Sequence, residues 1–103
     1  MVKIAFFVPE DHKEVVKAAM FLAGAGSIGN YDQCSWETEG KGQFRALDGA
    51  DPFVGTVGEI ERVKEFKVEM VCSDSVVTSV VEALKQAHPY EEPAYDVVLL
   101  LDV

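Results

Sequence analysis

The hydrophobic patterns along the chain predict an α+β fold in which two helices pack on one face of a mainly antiparallel sheet. Two segments repeat their apolar residues every three or four positions, as amphipathic helices do, and each lies between segments with strand-like patterns. The predicted order is strand, helix, two strands, an irregular excursion, and then strand, helix, strand. Two such βαβ-like halves are typical of a ferredoxin-like sandwich.

The first half begins with a nearly continuous apolar run at residues 2–8, which indicates a strand covered on at least one face. Pro9 ends this strand, and Glu10 and Asp11 then place negative charge in the first turn of a helix, where the helix dipole favours it. Apolar residues at helical spacing define the buried side of this helix: Val15, Val16, Ala19, Leu22 and Ala23. The helix is expected to end at Gly24.

Two further strands are predicted after this helix, at residues 31–37 and 43–47. The segment between them, residues 38–42, has spaced glycines that indicate a hairpin tip. Residues 48–58 are rich in turn-forming residues and show no helical period, so they are expected to form an ordered excursion with little regular structure.

The second half begins with a strand at residues 66–72, where charged and apolar residues alternate. Ser73 or Asp74 is expected to cap the next helix. The buried stripe of that helix is formed by Val76, Val77, Val80, Val81, Leu84 and Ala87. A last strand at residues 95–101 completes the pattern.

The joint between the second helix and the last strand, residues 88–96, holds two prolines, one imidazole, two phenols and three carboxylates. Pro89 forbids continuation of the helix, and Pro93 forces an extended entry into the strand. This proline corner is therefore expected to be rigid, as a binding site requires and as close packing of a chain turn also requires. The side chains that it displays are His88, Tyr90, Glu91 and Glu92.

The composition limits the classes of function. A chain of 103 residues, 49% of them hydrophobic, is expected to form one domain spanning residues 1–103. Its formal net charge of −9 opposes binding to nucleic acid and to anionic membranes. No segment reaches membrane-spanning length or resembles a signal peptide, so the chain is expected to be cytoplasmic. Cys34 and Cys72 lie in predicted strands and outside any C-x-x-C pair, which predicts reduced core thiols.

The predicted helices leave one face of the sheet uncovered. Residues 97–101 are five successive aliphatic residues, more than one helix layer can bury, and Trp36 and Phe44 add further apolar area. Because exposed apolar area of this size rarely stays in contact with water, we expect that face to meet a partner, most simply copies of the same chain.

Four sequence blocks match a known pattern in register. They are GAGSIGNYDQCSW at 24–36, EGKGQFR at 39–45, GADPFVG at 49–55 and HPYEEPAYD at 88–96. In this order they resemble the insert domain of the Nif-three-like proteins, also called the YqfO family, and the resemblance covers essentially the whole chain. It implies a free-standing insert domain with a fold similar to the trimeric CutA and PII proteins, and hence a homotrimer.

The resemblance also limits what can be transferred. Larger family members place this domain between two halves of a dinuclear-metal domain, whose site uses several histidines and acidic residues of those halves. This chain has only His12 and His88, so no metal-hydrolase site is transferred, and neither is the GTP cyclohydrolase label that family members often carry. No enzyme activity, cofactor or resident metal is expected.

The combined prediction is a non-enzymatic small-molecule-sensing or regulatory module of the PII and CutA type that acts as an oligomer. Its ligand is expected to bind between subunits, and the carboxylates favour a cationic or metal-associated effector; the identity of that effector is not readable. The predicted ligand-binding residues are Gly24, Gly26, Gly29, Tyr31, Cys34, His88, Tyr90, Glu91 and Glu92.

Several alternatives stay open at this point. The glycines at 24–29 would suit a phosphate cradle, but a glycine-capped helix end followed by a closely packed loop is favoured. Cys34, His88 and Glu91 would suit a metal site or a nucleophilic triad only if they converge. The rival functions are a metal-binding tolerance protein of the CutA type and a detached accessory subunit, with a protein partner, of a dinuclear-metal hydrolase.

Overall fold

Four strands and two helices follow one another in the order β-α-β-β-α-β in a computed structural model that describes residues 1–103. Their bounds are β1 Val2–Pro9, α1 Glu10–Leu22, β2 Trp36–Arg45, β3 Ile60–Cys72, α2 Val77–Ala87 and β4 Tyr95–Leu99, with one turn of 3-10 helix, Asp74–Val76, before α2. The strands form a single sheet in the order β2-β3-β1-β4, and every neighbouring pair is antiparallel. The predicted α+β ferredoxin-like fold, with both helices on one face, is confirmed.

The core lies between the helices and one face of the central strands. On β1 the residues directed at the helices are Val2, Ile4, Phe6 and Val8, and all four are buried. They belong to one apolar cluster that includes Val16 and Met20 of α1 and Val80 and Leu84 of α2. Each large side chain removed from water in this way contributes about 1.5 to 3 kcal/mol, so packing compensates for the poor helix propensity of the valines in α2.

The long hairpin differs from the prediction. Residues 36–45 form one continuous strand, whereas two strands with a tip at residues 38–42 were expected. Gly40 and Gly42 have no positive φ and pair with Glu65 and Val63 of β3. A Cβ atom at Gly42 would overlap the side chain of Glu65, so this glycine permits a close approach and makes no turn.

The true turn of that hairpin is the β2–β3 connection, residues 46–59, which contains the predicted excursion and has no regular structure. β3 accordingly begins at Ile60, six residues before the predicted strand at 66–72, and β4 ends at Leu99. Cys34 precedes β2, so its placement in a strand was wrong, while Cys72 does lie in a strand and is buried. Burial raises the pKa of the Cys72 thiol.

Two ion pairs join β2 to α1. Lys13 and Lys17 both reach the carboxylate of Glu37, the latter with its Nζ at 3.1 Å from Oε1. The hydrogen bond from Lys13 is the main reason why the pKa of Glu37 lies below its ordinary value. These ion pairs hold the start of β2 against α1 on the helix-covered face of the sheet. The opposite face of β2 and β3 has no helix against it.

The open face carries apolar residues beside charged ones. Trp36 is 69% exposed there, opposite Glu69 of β3, and Val98 is 54% exposed, opposite Lys3 of β1. The predicted partner for this face remains a prediction. Neither α1 nor α2 has the length and apolar character that a membrane-crossing helix requires.

Candidate functional site

The glycine loop, residues 24–34, begins by closing α1. Gly24 has φ +115°, its N–H donates to Phe21 O at 3.0 Å, and the N–H of Ala25 donates to Met20 O at 3.1 Å. This pair of bonds around a left-handed residue is the Schellman arrangement, which satisfies the last carbonyls of a helix. The favoured alternative at this site, a glycine cap, therefore describes the structure.

The rest of the glycine loop is bonded to its own chain. Gly26 has φ +85°, donates its N–H to Val71 O at 2.8 Å and accepts from the N–H of Cys34 at 2.9 Å. A Cβ atom at Gly26 would lie 2.7 Å from the ring of Phe21. Because the N–H groups of residues 24–26 already have carbonyl partners, this segment does not form a phosphate cradle.

The proline corner holds a buried imidazole with both nitrogens in use. The N–H of Tyr90 donates to His88 Nδ1 at 3.1 Å, so Nε2 carries the proton and donates to Phe7 O at 2.6 Å. His88 is 6% exposed, and its burial lowers the pKa of the imidazole. His88 is therefore neutral and joins the corner to the end of β1.

Tyr90 continues the connection to β3. Its hydroxyl donates to Glu65 Oε2 at 2.7 Å, and its ring lies 4.9 Å from the imidazole of His88, tilted by 56°. Burial, together with the neighbouring carboxylate, raises the pKa of Tyr90, so the phenol stays protonated and acts as a donor. One residue of the corner thus orients a carboxylate on the neighbouring strand.

A cleft of about 720 Å³ lies between the proline corner, the β2–β3 hairpin and the β2–β3 connection. We call it the corner cleft. Its aromatic wall has the ring of Tyr90 at 6.2 Å from that of Phe44 and 6.3 Å from that of Phe53. The charged residues that line it are Glu39, Glu65, Glu69, Glu91, Glu92, Lys41 and Lys67.

The β2–β3 connection is fastened to the proline corner and to α1. The N–H of Asp51 donates to Glu91 Oε1 at 3.2 Å, and the ring of Phe53 meets that of His12 edge-on at 5.2 Å. The Nδ1 atom of His12 is buried and has no hydrogen-bond partner. His12 therefore contributes an aromatic surface to this junction.

The predicted site residues fall into two groups in one chain. The glycine loop bonds to Val71, which pairs with Lys3, whereas His88 bonds to Phe7, four positions further along β1. At about 3.3 Å per residue, the two contact points are roughly 13 Å apart. Tyr90, Glu91 and Glu92 line the corner cleft with His88 behind Tyr90, while Gly24, Gly26, Gly29, Tyr31 and Cys34 lie at the other end of the strand.

This separation removes two alternatives for the single chain. Cys34 does not join His88 and Glu91, so the chain by itself forms neither the suggested metal site nor the suggested triad. The thiol of Cys34 instead lies 3.7 Å from Asp32 O. No group of three or more histidine, cysteine, aspartate or glutamate side chains is arranged to hold a metal ion.

Sequence reasoning missed three important residues of the cleft: Phe7, Phe53 and Glu65. Phe53 lies in the third of the four matching blocks, which could have drawn attention to it. Glu65 had a weaker signal, namely a glycine within the strand opposite it, because such glycines mark places where another group approaches closely. Phe7 was indistinguishable from its core-facing neighbours in a continuous apolar run.

The fold and the cleft together define a ferredoxin-like α+β domain with a ligand-sized cleft beside its proline corner. No protein-family model matches the chain. It is 50% identical over 99 residues to a "GTP cyclohydrolase 1 type 2 homolog" of Mycobacterium tuberculosis and 50% identical over 95 residues to one of Bacillus subtilis. These matches cover 96% and 92% of this chain but 26% of each relative.

Solved structures give the same result. A Bacillus cereus protein related to NIF3 matches with a TM-score of 0.84 and 42% identity over 98% of this chain and 26% of its own. CutA1 from Pyrococcus horikoshii matches with a TM-score of 0.71 and 19% identity over 100% of this chain and 86% of its own, which shows a shared fold. The resemblance to the Nif-three-like proteins is therefore confirmed, and the chain spans about a quarter of the length of the curated relatives it matches.

Proposed function

We propose that the chain is a non-enzymatic module that senses a small molecule in the corner cleft and acts as an oligomer. The observation that carries this proposal is the cleft itself, whose volume of about 720 Å³ falls within the usual range of small-ligand sites. Its polar groups are held by hydrogen bonds from Tyr90 and Asp51, so they are ordered before any ligand arrives.

The state of the possible reactive groups supports a binding role over a catalytic one. A general base needs a free lone pair within reach of substrate, but both nitrogens of His88 are committed to backbone groups. Tyr90 is held protonated, and Cys34 lies at the other end of β1. The relatives named as GTP cyclohydrolase homologues contain about three quarters of their length outside the matched region, where such chemistry would have to reside.

The binding proposal is tested by NMR on the ¹⁵N-labelled chain with a filtrate of small cellular metabolites. We expect amide shifts at residues 50, 51, 53, 54 and 90–92, with smaller shifts at residues 77–80, the first turn of α2, as an internal reference. A filtrate that moves no cleft amide at any concentration would contradict the proposal.

The oligomer is proposed to be a homotrimer built on the open sheet face. Trp36 and Val98 are the exposed apolar residues there, and a neighbouring subunit could bring its Gly29, Tyr31 and Cys34 against the corner cleft. In this arrangement the two groups of predicted ligand-binding residues meet across subunits, which the single chain does not allow.

Two unpaired cysteines also favour a cytoplasmic location.

Light scattering over a dilution series tests the assembly. We expect a species about three times the 11.3 kDa chain mass, and Trp36→Asp should lower the mass before it unfolds the subunit. Val15→Asp is the matched control, because Val15, which was wrongly predicted to lie on the buried side of α1, is 61% exposed there and away from the open face. A monodisperse single-chain mass at every concentration would end the trimer proposal.

A second candidate is an accessory subunit of a dinuclear-metal hydrolase, favoured by 50% identity to one quarter of longer relatives. Copurification with a separate chain carrying the remaining domain would support it.

A third candidate is metal tolerance, suggested by similarity to the "Periplasmic divalent cation tolerance protein CutA" of Archaeoglobus fulgidus, TM-score 0.69 at 17% identity. Stoichiometric metal retained through purification would favour that function.

A further inference from the structure

We propose that the corner cleft binds an organic cation, a protonated or quaternary amine attached to an apolar or aromatic body. This inference rests on the proposed ligand-sensing function and specifies the chemical class of the ligand. Three features support it: the unpaired carboxylates of the cleft, the aromatic rings beside them, and a volume much larger than a bare ion requires.

The charge balance at the corner favours a cation. Of the five carboxylates that line the cleft, Glu39 pairs with Lys64 at 2.9 Å and Glu69 lies 3.9 Å from Lys3. The carboxylates without a cationic partner are Glu65, Glu91 and Glu92.

The cleft lysines do not cancel this charge. Lys41 lies opposite Lys64 in the β2–β3 register, so its side chain, like that of Glu39, belongs to the helix-covered face. Lys67 remains on the open face, two positions along β3 from Glu65. Three free carboxylates therefore face one ammonium group, and the bonds to Glu65 and Glu91 come from neutral donors that leave their charge in place.

The aromatic wall gives the cation a second type of partner. The rings of Phe44 and Phe53 flank that of Tyr90 at 6.2 and 6.3 Å, and the line of rings continues to His12 behind Phe53. Faces of such rings attract ammonium groups and also pack against flat apolar bodies. An inorganic anion would gain nothing from these rings and would be repelled by the carboxylates.

The same geometry argues against a bare metal ion. Metal sites need several oxygen or nitrogen ligands converging at about 2.0 to 2.6 Å, and no group of three candidate ligands converges anywhere in the chain. A volume of about 720 Å³ would leave an ion largely surrounded by water. An amine on an organic body fills the space and reaches both the rings and the carboxylates.

Glu65 is the residue that we assign to hold the ammonium group. Its Oε2 is fixed by the Tyr90 hydroxyl, and Gly42 leaves room for the carboxylate because a side chain there would overlap it. A carboxylate already ordered in this way loses little conformational entropy when it binds. Gly42 thus makes room for the Glu65 carboxylate and does not form a turn.

The test uses three probes with one phenyl body: 2-phenylethylamine, 2-phenylethanol and phenylacetate, added to the full chain and followed by ¹⁵N NMR. We expect the amine to shift the amides of residues 42, 53 and 90 with about tenfold higher affinity than the alcohol, as expected for a charge-assisted hydrogen bond. Phenylacetate should not bind. Equal affinities for amine and alcohol, or a preference for phenylacetate, would overturn the inference.

Glu65→Gln provides the matched variant, because the amide oxygen still accepts from Tyr90 and keeps the corner folded. It should lower the amine affinity about five- to tenfold and leave the alcohol affinity unchanged. Glu82→Gln on α2 removes the same charge elsewhere and should change neither. If Glu65→Gln binds the amine as well as wild type does, the assignment is wrong.

These outcomes separate the two proposals. If the metabolite filtrate moves the cleft amides but the amine has no advantage, the chain is a ligand-binding module for another class of molecule. If neither the filtrate nor any probe moves those amides, both proposals fail together.

Discussion

The glycine loop and the proline corner both depart from regular structure, yet they use their polar groups in opposite ways. In the glycine loop the backbone N–H groups of Gly24, Ala25 and Gly26 are all bonded to carbonyls of the same chain, and Tyr31 is 75% exposed. In the proline corner the internal bonds are made by His88 and Tyr90, and the carboxylates of Glu91 and Glu92 have no cationic partner. The folded chain therefore uses the polar groups of the glycine loop within itself, whereas the corner keeps negative charge that no cation of the chain balances.

Glycine has a different structural role in each of the two regions. Gly24 and Gly26 adopt positive φ values because the chain must turn onto itself, whereas Gly42 lies in an extended strand and makes room for the Glu65 side chain. Only the second kind contributes to the corner cleft. A cluster of glycines in the sequence is therefore a better indicator of a tight backbone turn than of a ligand site.

The largest expected effect is loss of the buried imidazole. His88→Leu would leave Phe7 O and the N–H of Tyr90 without partners, which should lower the free energy of unfolding by roughly 2 to 4 kcal/mol. Urea denaturation measures this. His12→Leu is the control, because His12 Nδ1 has no hydrogen-bond partner to lose; relief of that buried atom and loss of the edge contact with Phe53 oppose each other, so the change should stay within about 1 kcal/mol. Equal losses in the two variants would show that the corner is not held by these bonds.

Substitution in the glycine loop should have the next largest effect. Gly26→Ala imposes a side chain at φ +85° against the ring of Phe21 and should cost roughly 1 to 3 kcal/mol by thermal unfolding. Gly29→Ala has φ +56° and open space around it, so it should cost only about 1 kcal/mol. If Gly26→Ala kept full stability but abolished ligand binding, the glycine loop would have a binding role and the proposed contrast with the corner would be wrong.

Acid should weaken the corner through His88. Burial puts its folded pKa below the ordinary value of about 6.5, so the unfolded chain takes up a proton first as the pH falls. Stability should therefore be complete above about pH 6.5 and decline below it, by up to about 1.4 kcal/mol per pH unit until the folded pKa is reached. Urea midpoints measured between about pH 7.5 and 5 test this, and His88→Leu should flatten the profile in that window. An unchanged slope in the variant would assign the dependence to other groups.

The smallest effect is expected at the carboxylates of the corner. In Glu91→Gln the amide oxygen still accepts from the N–H of Asp51, so the free energy of unfolding should change by less than about 0.5 kcal/mol. The melting temperature measures this change. Cys34→Ser in the glycine loop is the matched substitution and should be equally mild, because Cys34 is only half-buried. A large loss in Glu91→Gln would mean that this carboxylate serves the fold and would weaken the case for a ligand role.

Local physics in the sequence determined most of the architecture. Helical spacing located α1 and α2, Pro9 and Gly24 marked the bounds of α1, and the side chain of Ser73 does accept a hydrogen bond at the start of the following helix. The rigidity expected of the proline corner also followed from residue type, since proline restricts its own backbone and that of the preceding residue. These features depend on interactions within a few residues, so they are visible in one segment at a time.

Contacts between distant segments decided the rest. The strand at residues 36–45 was misread because the glycines at 40 and 42 resemble a turn until Glu65, more than twenty positions away, is placed opposite them. The same pairing created the corner cleft, which joins Phe7, Phe44, Phe53, Glu65 and Tyr90 from five separate parts of the chain. The bonds of Gly26 to Val71 and of His88 to Phe7, together with the β1–β3 register, place the glycine loop and the corner at opposite ends of β1. Register between strands is set by burial of whole faces, a property of the assembled sheet that no single segment contains.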